Sequence, residues 1–270
     1  MVVNRIKIFK CLFLLIVVVV VTSCQFNTRT DKFRPVPIEK KSTTLNTEFY
    51  HIYYEHPVEI WDYKYEMQEF VESVVAYYKR DWSPGGMHYE EEMDNPERRT
   101  GVSYPKFELN IRFEKSEASK IEVHSYLFYI YIYTGGANGM TEVKSFNFDS
   151  NGLIKDDVFF DFNPRKLVEL SQLFAEIARS MPDVFEMSYV REGLGLNYLM
   201  SDGITIDAAK SHADGFDYNS NFSTFILKDE GIRFYFNKYR LTPGAKGVPS
   251  IFLTWEQVNP YVRSRPKNKK

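Results

Sequence analysis

A length of 270 residues allows a large buried core, and a net charge of −2 argues against a basic nucleic-acid-binding surface. The only cysteines are Cys11 and Cys24, which excludes a disulfide-stapled scaffold and a thiolate metal cluster. Phe and Tyr are dense, at 22 and 19 residues, as in sheets with aromatic cross-strand pairs or in an aromatic binding face.

The chain opens with Arg5, Lys7 and Lys10 and no acid, followed by the apolar run Cys11 to Val21 and then Thr22-Ser23-Cys24. A basic start, an apolar core and small residues before a cut site form an export signal. The core falls short of the about 20 apolar residues of a membrane span. Cys24 directly after Val-Thr-Ser resembles the lipobox of bacterial lipoprotein signals. Residues 1–23 are then a cleaved signal, and Cys24 carries the lipid, because two or more acyl chains anchor stably where one does not. Their removal takes away three basic residues and moves the net charge from −2 to −5. The expected location is the cell envelope, periplasmic or surface-facing, with nucleic acid excluded as partner.

Residues 24–44 read as a polar tether. Residues 48–60 read as an aromatic-rich strand with a break at Pro57, and 63–79 as an amphipathic helix carrying Met67, Phe70, Val71, Val74 and Tyr78 on one face. Residues 81–105 read as a loop with Pro84-Gly85-Gly86 and an acidic run. Strands follow over 106–114, 121–133 and 140–149; the second is apolar on both faces, as a covered central strand requires. Asn163-Pro164 opens a second amphipathic helix with Asn as cap and Pro in the first turn. After an irregular stretch over 183–221, residues 222–227 and 231–239 form a hairpin, 248–254 a last strand and 256–262 a closing helix. Two long helices among strand runs predict an α+β fold, mainly antiparallel, in two parts over 45–133 and 134–262. Residues 263–270 read as a basic tail.

Two segments carry a family resemblance. One is Tyr131-Ile132-Tyr133-Thr134-Gly135-Gly136-Ala137-Asn138-Gly139 with Ser145-Phe146-Asn147-Phe148-Asp149. The other runs from Asn221-Phe222 through Gly231, Phe234, Asn237 and Tyr239 to Pro243-Gly244-Ala245-Lys246-Gly247 and Ile251 to Trp255. Together they resemble the extracytoplasmic domain of RsiV-type anti-sigma factors and the non-catalytic part of PdaC-type peptidoglycan deacetylases. That resemblance implies a module that senses lysozyme or accompanies cell-wall chemistry. Asn138 stands where the family usually has His, and Gly244 where it usually has Tyr, so any ligand contact made there in relatives is altered. Neither the sigma-binding segment nor the metal-dependent deacetylase domain of those relatives is recognisable.

No catalytic set emerges from the residues. His51, His56, His88, His124 and His212 show no zinc spacing, so neither metal nor cofactor is expected. Gly135 to Gly139 lacks the Lys-Ser/Thr of a phosphate loop and leads into a strand; it reads as a turn, with Asn138-Gly139 suited to positive φ. Tyr129, Tyr131 and Tyr133 share a strand face, which serves either core packing or stacking on sugar rings. The acids at 90–94 and Asp156-Asp157 read as solvated loop charge, with an envelope hydrolase as the alternative. An envelope scaffold without a small ligand is the third reading. The expected role is a non-catalytic, lipid-anchored module for a glycan or a lysozyme-like protein, contacting it through Tyr133, Gly135, Gly136, Asn138, Gly139 and Tyr239.

Overall fold

The structure is a computed structural model; it describes residues 39–58, 64–94, 106–135, 138–161 and 163–263. The residues expected to form the export signal, Cys24, most of the expected tether, Gly136 and the expected tail from 264 lie outside the described residues.

The chain builds one sheet of six strands and one of three. The large sheet runs in chain order through β1 (Lys40–Asn46), β2 (Tyr50–Pro57), β3 (Phe107–Ala118), β4 (Val123–Tyr133), β5 (Met140–Asp149) and β6 (Gly152–Leu153). Every pairing is antiparallel except β2 with β3, which is parallel and is bridged by α1 (Lys64–Asp81). A parallel pair needs a crossover of a dozen or more residues, and a helix supplies it. Alternation then sorts the strands' two faces. One face carries Ile52, Leu109, Ile111, Phe128, Ile130 and Phe146 and packs under Met67, Val71, Val75 and Tyr78 of α1. Phe70 of α1 sits edge-on to Phe128 and Phe146 at 5.8 and 5.5 Å.

The second layer holds α3 (Asp156–Phe159), α4 (Pro164–Arg179), α5 (Met187–Gly193), α6 (Ala208–Ala213), the strands β7 (Phe225–Lys228), β8 (Gly231–Tyr235) and β9 (Ser250–Thr254), and α7 (Trp255–Val258). Asn163 caps α4 by accepting a hydrogen bond from Arg165 N at 3.0 Å. Leu167, Leu170, Phe174 and Ala178 of α4 join Phe225, Leu227, Ile232, Phe234 and Leu253 in a single core. Each such apolar side chain removed from water contributes about 1.5–3 kcal/mol, so this cluster dominates the C-terminal stability.

The two layers meet at an unusual joint. One edge of β7 pairs with β8; its other edge rests on the second face of the large sheet. There the outward backbone groups of Phe225 and Leu227 find side chains instead of a strand. Ser145 Oγ accepts Phe225 N at 2.8 Å, and Asn147 Nδ2 donates to Phe225 O at 2.9 Å. Ser125 Oγ and Asn147 Oδ1 accept Leu227 N at 3.2 and 3.3 Å. Phe225 N, Phe225 O and Leu227 N of this buried edge strand are thereby satisfied.

Three readings need correction. Lys40–Asn46 is a strand paired with β2 along its whole length, so the last residues of the span 24–44 expected as tether belong to the sheet. This strand is polar because it lies at the sheet's edge, where backbone pairing rather than an apolar pattern fixes it. The large sheet also crosses the division expected at 133/134, since β5 and β6 extend it. Finally, Met87–Met93 is a helix, α2, within the stretch expected to be loop.

Candidate functional site

The two segments carrying the family resemblance converge at one end of the large sheet. Strand β4 ends at Tyr133, whose carbonyl accepts a hydrogen bond from Tyr78 OH at 3.4 Å. Gly135 then turns the chain at φ 96°. Asn138 is exposed, and Gly139 does not take the positive φ expected of it. Gly139 is needed for another reason. A Cβ there would fall 2.2 Å from Cε2 of Tyr131, so only a glycine lets that ring lie against the turn.

Opposite stands the segment after β8. Open edge groups of β5 are taken up by it: Val143 N donates to Asn237 Oδ1 and Lys238 N to Thr141 O, both at 2.9 Å. Lys238 Nζ reaches across to Gly139 O at 2.8 Å and lies 5.1 Å from the centre of the Tyr239 ring. Arg240 N donates to Asn237 O at 3.0 Å, closing a four-residue turn with Tyr239 in its third position. That position favours Gly or Asn when φ is positive, yet here it is Tyr239 at φ 71°. A bulky residue in this region costs about 1–3 kcal/mol and persists only where its surroundings hold it.

The surroundings do hold it. On one side Lys238 is tied to β5 and the Gly139 turn. On the other, Arg240 Nη2 and Nε donate to Asn221 Oδ1 at 2.6 and 3.2 Å, and the guanidinium lies 4.9 Å from the Phe216 ring. Burial lowers the Arg240 pKa, opposed by Tyr198, Asp217 and Glu192. Beneath Tyr239 lies Gly244, whose Cβ would fall 1.9 Å from the ring's Cε1. Gly244 therefore makes room for the ring of Tyr239, which stays 39% exposed. The result is a ledge built from Tyr131, Gly139, Lys238, Tyr239 and Gly244.

The expected contact residues divide accordingly. Gly139 and Tyr239 meet through Lys238, while Gly135 and exposed Asn138 lie on the adjoining turn. Tyr133 sits at the strand end, and Gly136 lies outside the described residues. Tyr131 is half-buried, and burial with nearby Glu108 raises its pKa. Tyr129 instead belongs to the interior: burial, with Glu114 and Tyr235, drives its pKa far above the ordinary range. Lys238 and Arg240 are not among the expected contact residues, since single cations in a hairpin give no periodic signal.

The acids weighed for hydrolysis are engaged locally. Glu90 accepts Gly85 N at 2.9 Å, Glu91 lies 3.3 Å from His88, and Asp156 accepts Asp157 N at 3.0 Å. His88 stacks on Trp82 at 5.2 Å. Among the described residues no three of His, Cys, Asp and Glu group to hold a metal ion, and no helix is long and apolar enough to cross a membrane.

Residues 156–256 match the family described as "Protein of unknown function (DUF3298)". Over that stretch the chain is similar to the DUF3298 family. The match takes in Asn221, Lys238, Tyr239, Arg240 and Gly244, whereas the 131–147 half of the ledge precedes it. The chain is also 25% identical over 146 residues to peptidoglycan-N-acetylmuramic acid deacetylase PdaC of Bacillus subtilis (strain 168). That alignment covers 54% of this chain and 27% of the relative, so the chain spans about a quarter of its relative's length. Two solved DUF3298 family proteins are similar. The one from Pseudomonas aeruginosa PAO1 has a TM-score of 0.47 and 14% identity, covering 87% of this chain and 99% of its own. The one from Bacteroides fragilis NCTC 9343 has a TM-score of 0.45 and 20% identity, covering 85% and 95%.

Proposed function

We propose that this protein is a non-catalytic binding module, exported and held at a membrane by a lipid on Cys24, whose ledge engages a cell-envelope ligand. The carrying observation is Tyr239, an exposed aromatic residue kept at φ 71° between two anchored cations. Strain of this sort, paid at a loop and stabilised from both sides, is characteristic of ligand-contacting positions. An exposed ring on such a ledge offers a stacking surface for a sugar or for an apolar side chain of a protein ligand. The relative that acts on peptidoglycan supports an envelope ligand, and the basic, apolar start ending at Cys24 supports export.

Calorimetric titration of the full chain in detergent micelles, with peptidoglycan fragments and separately with lysozyme, tests the binding role. Heat with either ligand is expected, and silence with both defeats the reading. The anchor is tested by growing the expressing cells with radiolabelled palmitate. Label on the wild-type protein and none on Cys24→Ser is expected; an unlabelled wild type rejects the anchor and leaves the ledge untouched.

A further inference from the structure

The ledge is electrically one-sided in a chain whose net charge is negative. Residues 231–248 contain Arg233, Lys238, Arg240 and Lys246 and no acid, and residues 131–141 contain no charged side chain at all. Of these cations, Lys238 belongs to the ledge itself. Its half-buried ammonium has one carbonyl partner, Gly139 O at 2.8 Å, and one ring neighbour, Tyr239. Among the described residues no carboxylate forms an ion pair with it. An ammonium has three donors, so two N–H groups of Lys238 are unspent beside an exposed ring. At this end of β3 and β5 the acids are Glu108, felt by Tyr131, and exposed Glu142; Glu114, Glu117 and Asp149 lie further along these strands.

Fixing the ammonium matters as much as its charge. A free surface lysine loses much side-chain entropy when it pairs, which is why exposed ion pairs contribute little. Lys238 has already been ordered by Gly139 O and by its backbone bond to Thr141 O, so a ligand acid meets a cation in place.

We infer that Lys238 is a specificity-determining residue of the ledge and that the ledge takes a carboxylate-bearing sugar, its ring against Tyr239 and its carboxylate on the Lys238 ammonium. This rests on the reading of the ledge as a binding surface. The bond is a charge-assisted hydrogen bond, stronger than a neutral one and weakened by salt. A neutral sugar of the same size keeps the stacking and loses the pairing.

The test compares two probes on the full chain in detergent micelles. One is a tetrasaccharide of alternating N-acetylglucosamine and N-acetylmuramic acid with free lactyl carboxylates; the other is the neutral N-acetylglucosamine tetramer. The acidic probe is expected to bind roughly five- to tenfold more tightly, with the gap closing in high salt. Lys238→Gln is expected to erase that preference, the ratio of the two affinities being what is read, and Lys238→Arg to retain it. Should Lys238→Gln melt well below the wild type, Lys238→Arg and the salt dependence decide. Equal affinity for the two probes, a preference that survives Lys238→Gln, or binding of neither probe overturns the inference. A Tyr239→Ala variant that binds both probes as the wild type does overturns the ledge itself, which separates the two failures.

Discussion

Asn147 on β5 holds Phe225 on β7 through a hydrogen bond from its Nδ2 to the Phe225 carbonyl at 2.9 Å, and its Oδ1 accepts both Ser125 Oγ at 2.6 Å and Leu227 N at 3.3 Å. The amide thus bridges the two sheets, and Asn147 is 2% exposed. Asn147→Ala leaves Phe225 O buried without a donor, and that orphan rather than the lost bond sets the cost. A loss of about 2–4 kcal/mol is expected in urea unfolding. A change under about 0.5 kcal/mol would show that the joint does not depend on this bridge.

Two glycines make contrasting predictions. Gly193 closes α5, where a Cβ would fall 1.9 Å from the backbone carbonyl of Arg240; at Gly244 the obstacle is the Tyr239 ring. A backbone carbonyl cannot yield, whereas a half-exposed ring can swing aside. Gly193→Ala is therefore expected to cost about 1–3 kcal/mol, and Gly244→Ala distinctly less. Gly244→Ala is instead expected to shift the Tyr239 ring resonance in NMR spectra and to weaken ligand binding. Equal stability losses in the two variants would contradict the difference drawn between them.

Glu114 predicts a pH dependence. Burial between the sheets raises its pKa, with the Tyr129 hydroxyl and Lys228 pulling it down less strongly. The neutral acid is thus favoured more in the folded chain than in the unfolded one. Its contribution to stability is complete below the ordinary glutamate range and is lost as pH rises through the raised folded value. Glu114→Gln removes this slope, so the variant gains on the wild type between mildly acidic and neutral pH. Urea midpoints measured across that interval check it; parallel curves would refute the assignment.

How much was legible in the sequence depended on which force fixed each element. The helix α4 was readable because Asn163-Pro164 and an apolar stripe act locally, and the hairpin β7–β8 because Asp229-Glu230 interrupts two apolar runs. β1 was not, since Lys40 to Asn46 is polar and is ordered only by backbone pairing with β2. α2 was hidden behind Pro84-Gly85-Gly86 and its own acidic sequence. The parallel partnership of β2 and β3 leaves no local trace. For the site, the motif residues were found but their roles were not. Asn147 is a structural bridge, and Gly139 serves the Tyr131 ring rather than a positive φ. Lys238 and Arg240 gain meaning only once Gly139 and Asn221 are brought beside them.

Calorimetric titration of the wild type and of Tyr239→Ala with peptidoglycan fragments and with lysozyme tests the binding ledge most directly. The ring contributes little to the core, and alanine keeps the Cβ that makes φ 71° costly, so the melting temperature is expected to hold. Affinity for the bound ligand is expected to fall about tenfold or more. An affinity unchanged by Tyr239→Ala, or no binding of either ligand by the wild type, would contradict the account.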